Sequence, residues 1–144
     1  MIKYRKGVGS LIFRRTPDGL KFLIFHRIRN WKGWELLKGG LLDGESFSKG
    51  LRREMKEETG FKKYKIHPKC YTIKFKWSRN YVKDHHKFHG AQHRFVLIET
   101  TIEKIKLDRY EHDKYRWVTR GEALKLLTHD NHKSILRKLT RGLK

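Results

Sequence analysis

The sequence predicts an α+β domain. Three observations carry that prediction. Segments rich in β-branched and aromatic residues recur along the chain. Segments with helical periodicity and recognisable ends lie between and after them. The two kinds are mixed without a regular strand–helix–strand alternation, which argues against a doubly wound parallel sheet. With 144 residues, the chain suits one domain spanning 1–144 with a core of useful size. Hydrophobic residues at 37% make a folded state reachable although 35% of the chain is charged.

In order, KYRKGVGSLIFRR at 3–15 reads as a strand, and TPDG at 16–19 as a turn. Pro fixes one dihedral there and Gly frees another. LKFLIFHRI at 20–28 then returns to complete a hairpin. RNWKGW at 29–34 reads as a loop, and ELLKGGLLDGE at 35–45 as a short apolar stretch broken by glycines. A helix is predicted from the N-cap Ser46 to about Thr59, stopped by Gly60. KCYTIKFKW at 69–77, AQHRFVLIET at 91–100 and KYRWVT at 114–119 are further strands. GEALKLL at 121–127 and a segment from about Asn131 to Leu143 are helices, the second capped near Asp130.

Charge is the most prominent global feature. Thirty-six Lys and Arg against 15 Asp and Glu give a formal +21. Two readings stand open: a Lys-rich surface without further role, or a polyanionic partner such as RNA. No apolar run reaches membrane-spanning length, and the start, MIKYRKGVGS, lacks the apolar core of a signal peptide. The single Cys70 excludes an intrachain disulfide and fits a reducing, cytoplasmic setting.

Against that basic background, Glu54, Glu57 and Glu58 cluster directly after the glycines at 39, 40 and 44. On a helical wheel, Phe47, Leu51 and Met55 form an apolar stripe, with Lys49, Arg52 and Lys56 opposite. Glu54 and Glu58 share the direction of the stripe, with Arg53 and Glu57 flanking it. A solvated, ion-paired Glu-rich helix would keep its acids away from that side. An inward carboxylate needs a strong partner. Arg53 can pair with one, most naturally Glu57 at i+4, and a hard divalent cation can satisfy several at once.

The run Gly39, Glu45 and Arg53-Glu54-Met55-Lys56-Glu57-Glu58-Thr59-Gly60-Phe61 resembles the full box of the Nudix hydrolases. Trp34-Glu35-Leu36-Leu37-Lys38-Gly39-Gly40 is similar to the usual lead-in, and EHDKYRWV at 111–118 resembles a segment of the Nudix enzymes that cleave diadenosine tetraphosphate. Leu37 stands where a proline is common, and Gly50 where an alanine is common. The resemblance implies an α/β/α sandwich with a mixed sheet between helices. It implies Glu54, Glu57 and Glu58 as ligands for Mg²⁺ or Mn²⁺, with a backbone carbonyl near Lys38 and Gly39. Arg53 and Glu45 would hold those carboxylates in place. The implied reaction is hydrolysis of a nucleoside diphosphate linked to another moiety, with water attacking phosphorus. The match of the 111–118 segment makes Glu111 the candidate general base.

Substrate identity is less sharply written. The diadenosine tetraphosphatase likeness brings in Tyr115, which also fits a plain alternating core position. Gly90-Ala91-Gln92-His93-Arg94-Phe95 is loosely similar to a segment of the RNA 5′ pyrophosphohydrolases, which makes RNA 5′ ends the alternative substrate. Lys38 is a further substrate-binding candidate. The loop at 78–94 carries His85, His86, His89 and His93, whose spacing matches no closed zinc site. It reads as a phosphate-meeting loop with Tyr81 or Phe88 available to stack on a base, or as a solvated loop with no role. A binding module that holds RNA or a nucleotide without cleaving it is the non-enzymatic alternative.

Overall fold

A computed structural model describes residues 2–79, 82 and 87–144 of the chain. The predicted hairpin is present as β1 (Tyr4–Thr16) and β2 (Gly19–Arg27), antiparallel from Phe13 opposite Phe22 to Thr16 opposite Gly19. The Thr16 hydroxyl donates to the Gly19 carbonyl at 2.7 Å and accepts from the Asp18 N–H at 3.2 Å. The two strands then separate. β3 (Gly33–Glu35) pairs with the far end of β2, and β4 (Leu37–Gly40) pairs with the near end of β1. Residues 33–40 therefore cross from one strand to the other and splay the sheet at that point.

β6 (Gly90–Glu99) runs parallel to β1 from Tyr4 to Phe13, and β5 (Lys65–Lys76) closes that side antiparallel to β6. β7 (His112–Val118) covers the other side of β2. The result is one mixed sheet of seven strands. Its two faces follow from strand alternation. Val8, Ile12, Leu23, Phe25, Val96 and Ile98 pack against Leu51 and Met55 of α1 (Phe47–Thr59). Leu11, Phe13, Phe22, Ile24, Phe95 and Leu97 pack against α2 (Arg120–Leu126) and α3 (Asp130–Leu139). Leu36 and Leu37 go to opposite cores, which pins the crossing chain between both layers. This is the α/β/α sandwich the sequence implied.

Several details differ from the expectation. The segment at 29–34 is not all loop, since β3 begins at Gly33. β5 begins at Lys65, four residues before the predicted 69, because a bulge between Ile66 and Cys70 lets the Pro68 region stay in the ladder. α2 is capped by Thr119 in a reciprocal box with Glu122. α3 ends at Leu139, short of the predicted Leu143, and is preceded by His129, which makes no side-chain capping bond; Asp130 lies in the first turn instead. Among the described residues, no helix is long and apolar enough to cross a membrane.

Candidate active site

The ends of α1 are as the sequence specified. Ser46 accepts from the Lys49 N–H at 3.2 Å, and Gly60 closes the helix at φ 76. Lys49, Arg52 and Lys56 are exposed, while Glu54 and Glu58 are buried at 7% and 5% exposure. Gly50 leaves room for Leu41: a Cβ there would overlap the Leu41 side chain. The absent methyl group thus seats the loop that precedes the helix.

Arg53 is the hub of one side of the site. Its Nε and one terminal nitrogen grip Glu45 at 2.8 and 2.9 Å, and the same terminal nitrogen donates to the Gly40 carbonyl at 2.9 Å. The other terminal nitrogen reaches Glu54 at 3.0 Å and Glu57 only at 3.4 Å. Its principal partner is therefore Glu45, not the predicted i+4 neighbour Glu57, because a two-point fork on one carboxylate is the stronger geometry. Glu45 also accepts from the Leu42 N–H at 3.0 Å, and the Arg53 fork with that bond holds its carboxyl down to about 2. Glu54 lies so close to Gly39 that any Cβ there would overlap its carboxylate.

On the other side stands a buried relay that sequence reasoning missed. His112 donates from Nε2 to Glu35 at 2.7 Å and from Nδ1 to Glu58 at 3.2 Å. Burial alone would push His112 down, but the two carboxylates outweigh it and lift it to about 9. Burial likewise acts to raise Glu35, yet His112, Lys38 and Arg27 hold it at about 2. Arg27 donates to Glu35 at 3.1 Å, and Lys38 stands 3.6 Å from it. Glu35 and His112 lay inside the motifs noted above; only their shared burial marks them as a pair.

Burial pushes Glu54 up to about 7, and Arg53 offsets this only in part. Burial raises Glu58 too, against the pull of His112. Such acids are poorly solvated and short of positive partners, the condition a bound cation relieves. Glu58, Glu111 and His112 offer ligand atoms within 4.8 Å of one another, the one such group of three among the described residues. The three helix acids do not themselves close into a compact trio: Glu57 points outward, its side chain 50% exposed. The carboxylate donors suit a hard cation such as Mg²⁺ or Mn²⁺.

Beside these acids opens a cleft of about 690 Å³. Gly39 and Glu111 border it, with Arg5, Arg27 and Lys38 as cations and Trp31, Phe75 and Trp77 as rings. Lys38 and Glu111 are thus where the sequence placed them. Two substrate-binding candidates are not. Ala91 and His93 line the cleft, so strand alternation turns Gln92 to the opposite face. Tyr115 packs in the α1 core, and its hydroxyl accepts from the Ile105 N–H at 3.2 Å, anchoring the segment before β7. Tyr81, His85 and His86 lie outside the described residues.

Known proteins agree with this architecture. A model of the NUDIX domain matches residues 3–139. An RNA pyrophosphohydrolase of Rickettsia bellii is 30% identical over 141 residues, covering 88% of this chain and 81% of its own. One from Orientia tsutsugamushi is 28% identical over 137 residues, covering 85% and 80%. Among solved structures, a Caenorhabditis elegans Ap4A hydrolase in a binary complex superposes with a TM-score of 0.82 at 23% identity, over 96% of this chain and 97% of that one. The Escherichia coli dihydroneopterin triphosphate pyrophosphohydrolase gives 0.75 at 15% identity, over 99% of each. With the box complete, its acids buried and its cleft alongside, the chain belongs to the Nudix family of hydrolases.

Proposed function

We propose that this protein hydrolyses a pyrophosphate bond in a nucleoside diphosphate-linked compound, with a dinucleoside polyphosphate such as diadenosine tetraphosphate as the substrate. One observation carries the reading: buried, under-compensated carboxylates on the inner face of α1 adjoin a cleft of cations and aromatic rings. A site that only held a nucleotide would have no use for acids next to its phosphates.

Glu54 and Glu58 would hold the metal, joined by Glu111 and the backbone near Gly39, with Glu57 at the solvent side. When bound, Mg²⁺ or Mn²⁺ supplies charge neutralisation at the phosphate oxygens. The remaining work falls to side chains. Arg53 and Glu45 fix the position of Glu54. His112, itself held by Glu35, fixes Glu58. Arg27, Lys38 and Arg5 meet the polyphosphate, and aromatic rings of the cleft take a base. Glu111 accepts a proton from the attacking water as its oxygen bonds to phosphorus. The bridging oxygen leaves with the departing phosphate, toward the cations of the cleft.

The test is hydrolysis with Mg²⁺ of diadenosine tetraphosphate, 5′-triphosphorylated RNA and nucleoside triphosphates by wild type and Glu58→Gln. The wild type cleaves, and the variant loses at least about a hundredfold, the scale for removal of a group acting in the transition state. Equal rates would refute the assignment.

RNA 5′ ends are the second reading, and a specific observation favours them. Arg5 and Trp77 line both the cleft and a second cavity of about 790 Å³ that also includes Tyr4, Lys6 and Phe88. A chain leaving the cleft would meet further cations and rings there. Two RNA pyrophosphohydrolases among the relatives and the +21 charge point the same way. On RNA, log K should fall steeply with log salt concentration; on the small dinucleotide the slope is shallow.

A further inference from the structure

Buried polar atoms normally find a hydrogen-bond partner. Among the described residues four do not: Arg14 Nε, Glu35 Oε1, His93 Nδ1 and Asn131 Oδ1. Glu35 belongs to the acid relay. His93 and Asn131 both line the cleft, and neither has a part in the phosphate chemistry above. His93 is 7% exposed, so its unpaired nitrogen is a costly feature to retain without a ligand.

The surroundings differ from the rest of the cleft. A continuous series of ring contacts runs Phe75–His93 (5.7 Å), His93–Phe95 (6.3 Å), Phe95–His132 (5.7 Å), His132–His129 (5.7 Å) and His129–Trp31 (4.5 Å). Burial pushes His93 and His132 down to about 3, and lowers His129 as well. These imidazoles are neutral at pH 7. His132 Nδ1 accepts from the Leu36 N–H at 3.1 Å, so its proton sits on Nε2. The cleft thus has two kinds of lining. Arg5, Arg27, Arg29 and Lys38 suit phosphates, whereas uncharged rings with unpaired hydrogen-bonding atoms suit a flat, polar-edged aromatic ligand.

Asn131 narrows the choice of ligand. Whichever way its carboxamide is turned, it brings one donor and one acceptor in a common plane. That pair complements adenine, whose N6 amino group donates and whose N7 accepts. Hypoxanthine and guanine present two acceptors along the same edge and would leave the carboxamide oxygen unpaired.

We propose that this end of the cleft is an adenine-reading subsite, in which Asn131 pairs with the N6/N7 edge, His93 Nδ1 supplies a second polar contact and Trp31 or Phe75 stacks on the ring. The inference deepens the proposed function and rests on its placing a nucleotide in this cleft.

The experiment is calorimetric binding of AMP and IMP to the full chain in EDTA, independent of catalysis. AMP is expected to bind about tenfold more tightly than IMP, at the lower end of what a two-point base contact discriminates. Asn131→Leu should weaken AMP to within about twofold of IMP and leave IMP unchanged. Equal binding of AMP and IMP by wild type overturns the subsite. So does a folded N131L that keeps the preference. The wild-type ratio needs no variant, so a misfolded N131L leaves the test standing. The outcomes also separate from those of the proposed function. Hydrolysis that Glu58→Gln abolishes, without base preference, sinks only the subsite; base preference without hydrolysis sinks only the enzymatic reading.

Discussion

Glu54→Gln should stabilise the metal-free protein while removing its activity. Glu54 is buried on the inner face of α1, and burial lifts its carboxyl from 4.5 to about 7. A group whose pKa is raised on folding contributes stability in full below its unfolded value and loses it as pH rises through the folded one. The window is therefore pH 4.5 to about 7. Across it, at about 1.4 kcal/mol per pH unit, ionised Glu54 costs the fold about 3 kcal/mol. The carboxylate borders the water of the cleft, which screens part of this, so about 2 kcal/mol is the working figure. Gln keeps the shape, stays neutral, and its carbonyl still accepts from Arg53. In a domain of this size about 1 kcal/mol moves Tm by about 3 °C. In EDTA at pH 8, E54Q should melt about 6 °C above wild type, and at pH 4.5 the two should coincide. Added Mg²⁺ should raise the wild type and leave the variant nearly unmoved. Scanning fluorimetry across pH, with and without Mg²⁺, reads all three effects. A gap that does not change with pH, or a variant less stable at pH 8, would refute the claim that this carboxylate is held under electrostatic strain for a cation.

Two further perturbations test neighbouring parts of the site. His112→Leu leaves Glu35 buried without its 2.7 Å partner and should cost about 3 kcal/mol at pH 6 in urea unfolding. His112 is raised from 6.5 to about 9, so its contribution is complete below pH 6.5 and fades as pH rises through 9. The gap to the variant should shrink accordingly, and a constant gap would count against a charged His112. Gly39→Ala places a Cβ where the Glu54 carboxylate lies. That carboxylate ends a flexible side chain and can swing aside, so Tm should move by no more than about 3 °C while hydrolysis falls at least about tenfold. Unchanged turnover would mean that the position of Glu54 does not matter.

Much of the site was legible in the sequence, for an identifiable reason. The phase of Glu54 and Glu58 relative to Phe47, Leu51 and Met55 depends only on the helical period, and burial followed it. Ser46 and Gly60 fixed the helix ends through bonds that span a few residues. Gln92 and Tyr115 were misplaced because a motif likeness carries no strand phase. A strand residue faces one side or the other according to register, and register is set by the partner strands.

By itself, then, the amino-acid order determined what is local: the hairpin, the phase and ends of α1, the acid-rich box and the family it belongs to. Tertiary structure alone decided which distant groups meet. It brought Glu35 at 35, Glu58 at 58 and His112 at 112 onto one buried hydrogen-bonded line. It turned Arg53 to Glu45 rather than Glu57, and it left His93 and Asn131 unpaired in one cleft. The physical reason is that helical periodicity and capping act over one or two turns. Desolvation, pKa and pairing depend on what the splayed sheet packs against each group, which no single segment encodes.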